Sequence, residues 1–211
     1  MEAFTTHRGV MAVLDRSNVD TDQIIPKQFL KSIRRTGFGE ALFFDWRYLP
    51  NGQPNPDFEL NAPRFRGASI LVAGNNFGCG SSREHAVWAI MQYGLRVLIA
   101  PYQVLDGNRV PAFADIFRNN GVKNGLLTIE LPPEDVRSII GIVTRAGRVE
   151  ATVDLPHQTL QVHAAEPAVF NFTIDAGVKE HLLRGLDDIG LSEQHADAIA
   201  AFEARHNDQM C

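Results

Sequence analysis

Two serines and an arginine stand in a row within Gly74-Asn-Asn-Phe-Gly-Cys-Gly-Ser-Ser-Arg-Glu-His-Ala86. The preceding Ala68-Ser-Ile-Leu-Val-Ala73 is short, apolar and rich in β-branched residues, the pattern of a buried strand. Beyond it, Ala86, Ala89, Ile90 and Tyr93 recur at helical spacing, which predicts a helix over Glu84 to Tyr93. A Gly-rich turn from strand to helix puts Ser81, Ser82 and Arg83 at a helix N-terminus, where unpaired N–H groups and the helix dipole attract negative charge. Two hydroxyls and a guanidinium at such a point suit a small carboxylate. The plainer alternative is a serine capping an ordinary helix, but the Gly-Cys-Gly-Ser-Ser-Arg-Glu string is more constrained than a cap requires.

Three other chemistries are excluded by single positions. A dinucleotide fingerprint needs a third glycine where Arg83 stands, and a phosphate-binding P-loop needs Gly-Lys-Ser/Thr, which does not occur. A hydrolase nucleophile elbow needs glycines on both sides of its serine, which neither Ser81 nor Ser82 has. A second polar cluster, Asp20-Thr-Asp22 followed by Lys27, Arg34 and Arg35, reads either as part of an anion site or as a turn cap and a solvated helix face. No pattern of clustered His and carboxylates implies a metal site, and His85 reads as a supporting residue.

The two cysteines, Cys79 and Cys211, make no Cys-x-x-Cys pair, so neither a disulfide framework nor a zinc knuckle is expected. Cys79 reads as a small turn residue. A length of 211 residues supports one substantial core. The net charge of −5 argues against nucleic-acid binding. No apolar run approaches the ~20 residues that span a bilayer, and Met1-Glu-Ala-Phe-Thr-Thr-His-Arg8 lacks the layout of a signal peptide. The expected compartment is the cytoplasm.

The supporting elements follow from periodicity and turn residues. Strands are predicted at Gly9–Leu14, Leu95–Ala100, Leu126–Leu131, Val149–Leu155, Thr159–His163 and Val169–Ile174. Helices are predicted after Pro26 through Ile33, from Pro111 to Asn119 with a stop at Asn120-Gly121, from Pro132 to about Thr144, and from Ser192 to Phe202. Residues 36–65 read as a long loop loaded with Phe38, Phe43, Phe44, Trp46 and Tyr48, which either pack locally or face a partner. Early alternation of strand and helix predicts parallel crossovers, and the late strands predict a second, mostly antiparallel layer.

Gly80-Ser-Ser-Arg-Glu-His-Ala86 resembles the signature of the aconitase-superfamily swivel domain, and the wider string from Asn76 resembles the stand-alone small subunits of 3-isopropylmalate dehydratases. Asn18–Leu30, Arg35–Gly39 with Phe44–Arg47, Phe113–Phe117 and Gly185–Gly190 agree in order along nearly the whole chain. The resemblance implies an α/β fold: a swivelling β/β/α layered domain of the aconitase C-terminal type over residues 1–211, with a helical tail at about 176–206. It also implies a hydro-lyase small subunit. Ser81 matches the catalytic base, a serine alkoxide; Asp22 matches an acid that orients active-site groups; Ser82 and Arg83 match groups that hold a substrate carboxylate. Arg34 matches a further basic position, with Lys27 and Arg35 as alternatives. The chemistry implied needs a 4Fe-4S cluster, and a cluster takes about three or four cysteines. This chain therefore binds no metal itself, and a large cluster-binding subunit is implied as partner, in a heterodimer or heterotetramer. The substrate implied is a small dicarboxylate, isopropylmalate above related citramalate, methylated malate or homoaconitate. A non-catalytic binding module and a self-sufficient anion-binding enzyme are the rival readings. Tyr102–Pro111 is additional to the typical small-subunit pattern.

Overall fold

The first strand, β1 (Thr6–Leu14), changes character halfway: Thr6–Gly9 is wholly or partly exposed, whereas Val10–Leu14 is buried. The two halves have different neighbours. Val10–Leu14 runs parallel to β2 (Ala68–Ala73), and Thr6–Val10 pairs antiparallel with Glu150–Asp154. The structure is a computed structural model describing residues 1–31, 36–81, 83–185, 190 and 195–206.

From β2 the chain crosses through α3 (Glu84–Tyr93) to β3 (Val97–Pro101), then through α4 (Asp115–Asn124) to β6 (Leu127–Leu131). All of these strands are parallel, with Ile70 opposite Val97 and Val97 opposite Leu127. The apolar runs of β2 and β3 are covered on both faces, as central parallel strands are. The helix α5 (Pro133–Ala146) lays Val136, Ile139 and Val143 against β1, β2 and β3. Then β7 (Glu150–Asp154), β8 (Thr159–His163) and β9 (Ala168–Asn171) follow antiparallel. They form no separate hydrogen-bonded sheet: the order is β6-β3-β2-β1-β7-β8-β9, so they continue the parallel half through β1. The end of the described chain carries α6 (Ala176–Arg184) and a helix over Ala196–His206 that leaves Ile199 and Phe202 exposed. Residues 192–194 of the expected last helix lie outside the described residues. Among the described residues no helix is long and apolar enough to cross a membrane.

Three expectations are corrected. The helix expected to stop at Asn120-Gly121 runs to Asn124 and ends on Gly125 at φ 86, whose N–H bonds back to Gly121 and Val122. Gly121 is instead a buried interior position packed on Leu126. The helix expected after Pro26 is, within the described residues, a 3₁₀ turn at Lys27–Lys31, with its last positions 32–33 outside them, and a helix not expected, α1 (Thr21–Ile24), precedes the proline. Finally, the segment 36–65 is no bare loop. It holds three 3₁₀ turns and α2 (Phe44–Arg47), and its aromatics pack locally. Phe38, Phe43, Phe58 and Phe65 are buried, and Phe43 stacks on Trp46. Arg16, at the exit of β1, clamps this segment by a bidentate bond to Glu59 at 3.0 and 2.9 Å while lying over the Trp46 ring.

Residues 103–110 form a hairpin, β4 (Gln103–Leu105) and β5 (Asn108–Val110), turning on Asp106 and Gly107, both at positive φ. This is the Asp-Gly two-residue turn that matches strand twist. Arg109 is paired to Glu130, whose other oxygen accepts from the Ala112 N–H at the hairpin base.

Candidate active site

Each described candidate residue follows the carboxyl end of a parallel strand, Asp22 and Lys27 after β1 and Ser81 and Arg83 after β2, the usual place for a site in such sheets. The loops after β1 and β2 extend the strand pairing beyond the sheet. Gly74 N–H donates to Arg16, Asn18 N–H to Asn75, Gly78 N–H to Val19, and Thr21 N–H to Cys79, at 2.8 to 3.1 Å. On the other side, Phe77 exchanges two backbone bonds with the loop after β3, through Ala112 and Ala114. The Gly-rich loop is thus held from both flanks.

Gly78 and Gly80 make its shape possible, at φ 76 and 80. A Cβ on Gly78 would lie 2.2 Å from Cγ of the buried Phe117 ring. Gly78→Ala is expected to destabilise the chain by roughly 3 kcal/mol, from left-handed strain plus overpacking. A lower urea midpoint, with kcat per folded complex retained, checks this.

The loop delivers Ser81 to the surface with its Oγ 3.3 Å from Thr21 Oγ1. Ser81 is not a helix cap: α3 begins at Glu84, and Arg83 occupies the N-cap position without a side-chain capping bond. The Arg83 guanidinium instead reaches across to the loop after β1, where its Nη1 donates to Asp22 Oδ1. The other Asp22 oxygen lies 3.3 Å from Lys27 Nζ. Nor is Asp22 a cap. That duty falls to Asp20, whose carboxylate accepts from the Asp22 and Gln23 N–H groups while Gln23 bonds back to the Asp20 N–H. Two cations converge on one carboxylate beside an exposed hydroxyl, and their remaining donors suit a carboxylate ligand.

Of the residues singled out in the sequence, Ser81, Asp22, Arg83 and Lys27 are brought together. Ser82, Arg34, Arg35, Asp187 and Asp188 lie outside the described residues. His85 packs against Phe38 and Trp88, as a supporting residue would. Cys79 is half-buried; burial and the neighbouring Asp20 carboxylate push its thiol up, so it is neutral near pH 7 and a poor nucleophile.

The family model described as the aconitase C-terminal domain matches residues 1–134, and the model for the C-terminal domain of the 3-isopropylmalate dehydratase small subunit matches residues 188–210. A 3-isopropylmalate dehydratase small subunit of Desulforapulum autotrophicum is 58% identical over 97% of this chain and 96% of its own length. One from Geobacillus kaustophilus is 55% identical over 98% of each. The chain belongs to the 3-isopropylmalate dehydratase small-subunit family. A crystal structure of 3-isopropylmalate dehydratase from Methanocaldococcus jannaschii shares the fold, with a TM-score of 0.61 at 21% identity over 93% of this chain and 98% of that one.

This small-subunit family member does not fit a four-iron cluster by its own residues. Its two cysteines fall short of the three or four that a cluster takes. Among the described residues no group of three or more His, Cys, Asp or Glu is placed to hold a metal ion. Sequence reasoning missed Thr21, the one fully buried polar side chain among the described residues, and Arg16 as a clamp. Thr21 lies inside the Asp20–Asp22 motif, but nothing in the sequence marks it as buried against a loop 60 residues away.

Proposed function

We propose that this chain is the small subunit of a hydro-lyase that interconverts 2-isopropylmalate and 3-isopropylmalate in leucine biosynthesis, active only with a large subunit. The observation that carries this reading is the exposed Ser81 beside the Arg83–Asp22–Lys27 cluster, in a chain of this family. Both substrates carry two carboxylates and one hydroxyl. Dehydration needs a base at the carbon next to a carboxylate, cations to hold the carboxylates, and an acceptor for the departing hydroxide.

Ser81 Oγ, as the alkoxide, takes the proton. The C–H electron pair becomes the new C=C bond as the C–O bond on the neighbouring carbon breaks. Ser81 then returns a proton when water adds in the opposite sense. Arg83 binds a substrate carboxylate through its planar fork, with Ser82 as a second donor, and Asp22 holds the guanidinium in place. Arg34 and Lys27 hold the other carboxylate. An alkoxide forms near neutrality only if strongly stabilised, and a guanidinium such as that of Arg83 is a stabiliser of the right kind. The hydroxide acceptor is assigned to the large subunit as its 4Fe-4S cluster, because this chain has too few cysteines to hold one. The open position of Ser81 supports a catalytic pocket that closes only when the partner covers this face. We place the assembly, a heterodimer or heterotetramer, in the cytoplasm.

Mixing purified chain and large subunit, then assaying 2- and 3-isopropylmalate beside citramalate, methylated malate and homoaconitate, tests the reading. The expected result is isopropylmalate interconversion at the highest kcat/KM, and none by the isolated chain. Activity of the isolated chain, or a higher kcat/KM on another acid, overturns it.

A further inference from the structure

We infer that Thr21 is a positioning residue for Ser81, its buried hydroxyl donating a hydrogen bond that fixes and stabilises the deprotonated Ser81 oxygen. The inference rests on the base assignment of Ser81 proposed above. Thr21 is 1% exposed. A hydroxyl that deep costs stability unless it is bonded, and valine would fill the same volume without that cost. Its partner is Ser81 Oγ.

Little freedom remains to the backbone that carries the buried Thr21 side chain. Its N–H donates to the Cys79 carbonyl at 3.1 Å, its carbonyl accepts from Ile25 at 3.0 Å, and the Asp20–Gln23 capping box fixes the turn that carries it. The hydroxyl is therefore held still, and from the dry side of the loop, beneath an oxygen whose other side faces solvent. The 3.3 Å separation is long for two neutral hydroxyls. It suits a contact that shortens when Ser81 carries charge, since bonds to an ionised oxygen are shorter and stronger. Thr21 keeps its proton throughout; Ser81 alone exchanges one with substrate. Among the described residues, the charged and titratable groups beside the pair include Asp20, Asp22, Lys27, Cys79 and Arg83, and substituting Thr21 leaves all of them in place.

The test uses the complex with the large subunit, comparing Thr21→Val, Thr21→Ser and Ser81→Ala with wild type. Thr21→Val is expected to lower kcat ~10- to 100-fold, the worth of a bond to a charged group, with KM nearly unchanged. The acid limb of its pH–rate profile should move to higher pH, because the Ser81 oxygen is harder to deprotonate. Thr21→Ser, which keeps the hydroxyl, should restore most of the rate. The inference is overturned if Thr21→Val keeps wild-type kcat and pH profile while Ser81→Ala is inactive. It is equally overturned if valine and serine variants fall together, or if lost activity only follows lost complex by gel filtration, since Thr21 is then a packing residue. Should Ser81→Ala itself keep near-full kcat, the base assignment fails and this inference with it.

Discussion

Ser81→Ala is expected to lower kcat by at least ~10²-fold in the assembled enzyme, the scale of a positioned acid–base group. The variant removes one oxygen from an exposed side chain that approaches Thr21 Oγ1 at 3.3 Å. Its cost to folding is therefore small. The backbone bonds that shape the loop, Gly78 to Val19 and Thr21 to Cys79, do not involve the Ser81 side chain. The base acts in the transition state rather than in ground-state binding, so KM should change little. Steady-state kinetics beside gel filtration of the complex check both parts. A near-wild-type kcat would remove Ser81 from the mechanism.

Arg83→Lys should act on the other parameter. Lysine keeps the charge but presents a point donor in place of a planar fork. It also loses the geometry that lets Asp22 grip one terminal nitrogen of a guanidinium. Losing one charge-assisted bond to a substrate carboxylate is worth about 1.5–3 kcal/mol, a rise in KM of ~10- to 100-fold. Lys27 does not compensate, since it is solvent-exposed and already drawn to Asp22. An unchanged KM would show that the guanidinium serves the Asp22 contact alone.

What the sequence made legible was local. The helix Glu84–Tyr93 has the bounds that its apolar spacing predicts, and its end is fixed by Gly94 in the left-handed conformation. The parallel strands β2 and β3 are visible as apolar runs between turn residues, with Leu95 and Arg96 lying just outside β3. The pair Asp106-Gly107 is a hairpin signal in its own right, yet the resemblance marks Tyr102–Pro111 only as an addition to the family pattern. Non-local pairing was not legible. Phe113 falls inside the helix expected over Pro111–Asn119 but outside the observed one, Asp115–Asn124, because its backbone bridges to Phe77 in the Gly-rich loop, a contact that wins over helical propensity. The same holds at the site. Residue types pointed to Ser81, Arg83 and Asp22, and the Asp20–Gln23 capping box is a local signal, but that Asp22 faces Arg83 depends on how two loops zip together.

The claim at the centre of this account is that Ser81 takes the proton from substrate carbon. It is tested most directly with 3-isopropylmalate carrying deuterium on the carbon that bears the isopropyl group. Loss of label from that carbon reports C–D cleavage whether the deuterium goes to solvent or to the neighbouring carbon. With the large subunit present, wild-type chain should strip the label, and Ser81→Ala should bind substrate and partner normally yet leave the label in place. Label loss by Ser81→Ala at the wild-type rate would contradict the account and assign the base to another residue.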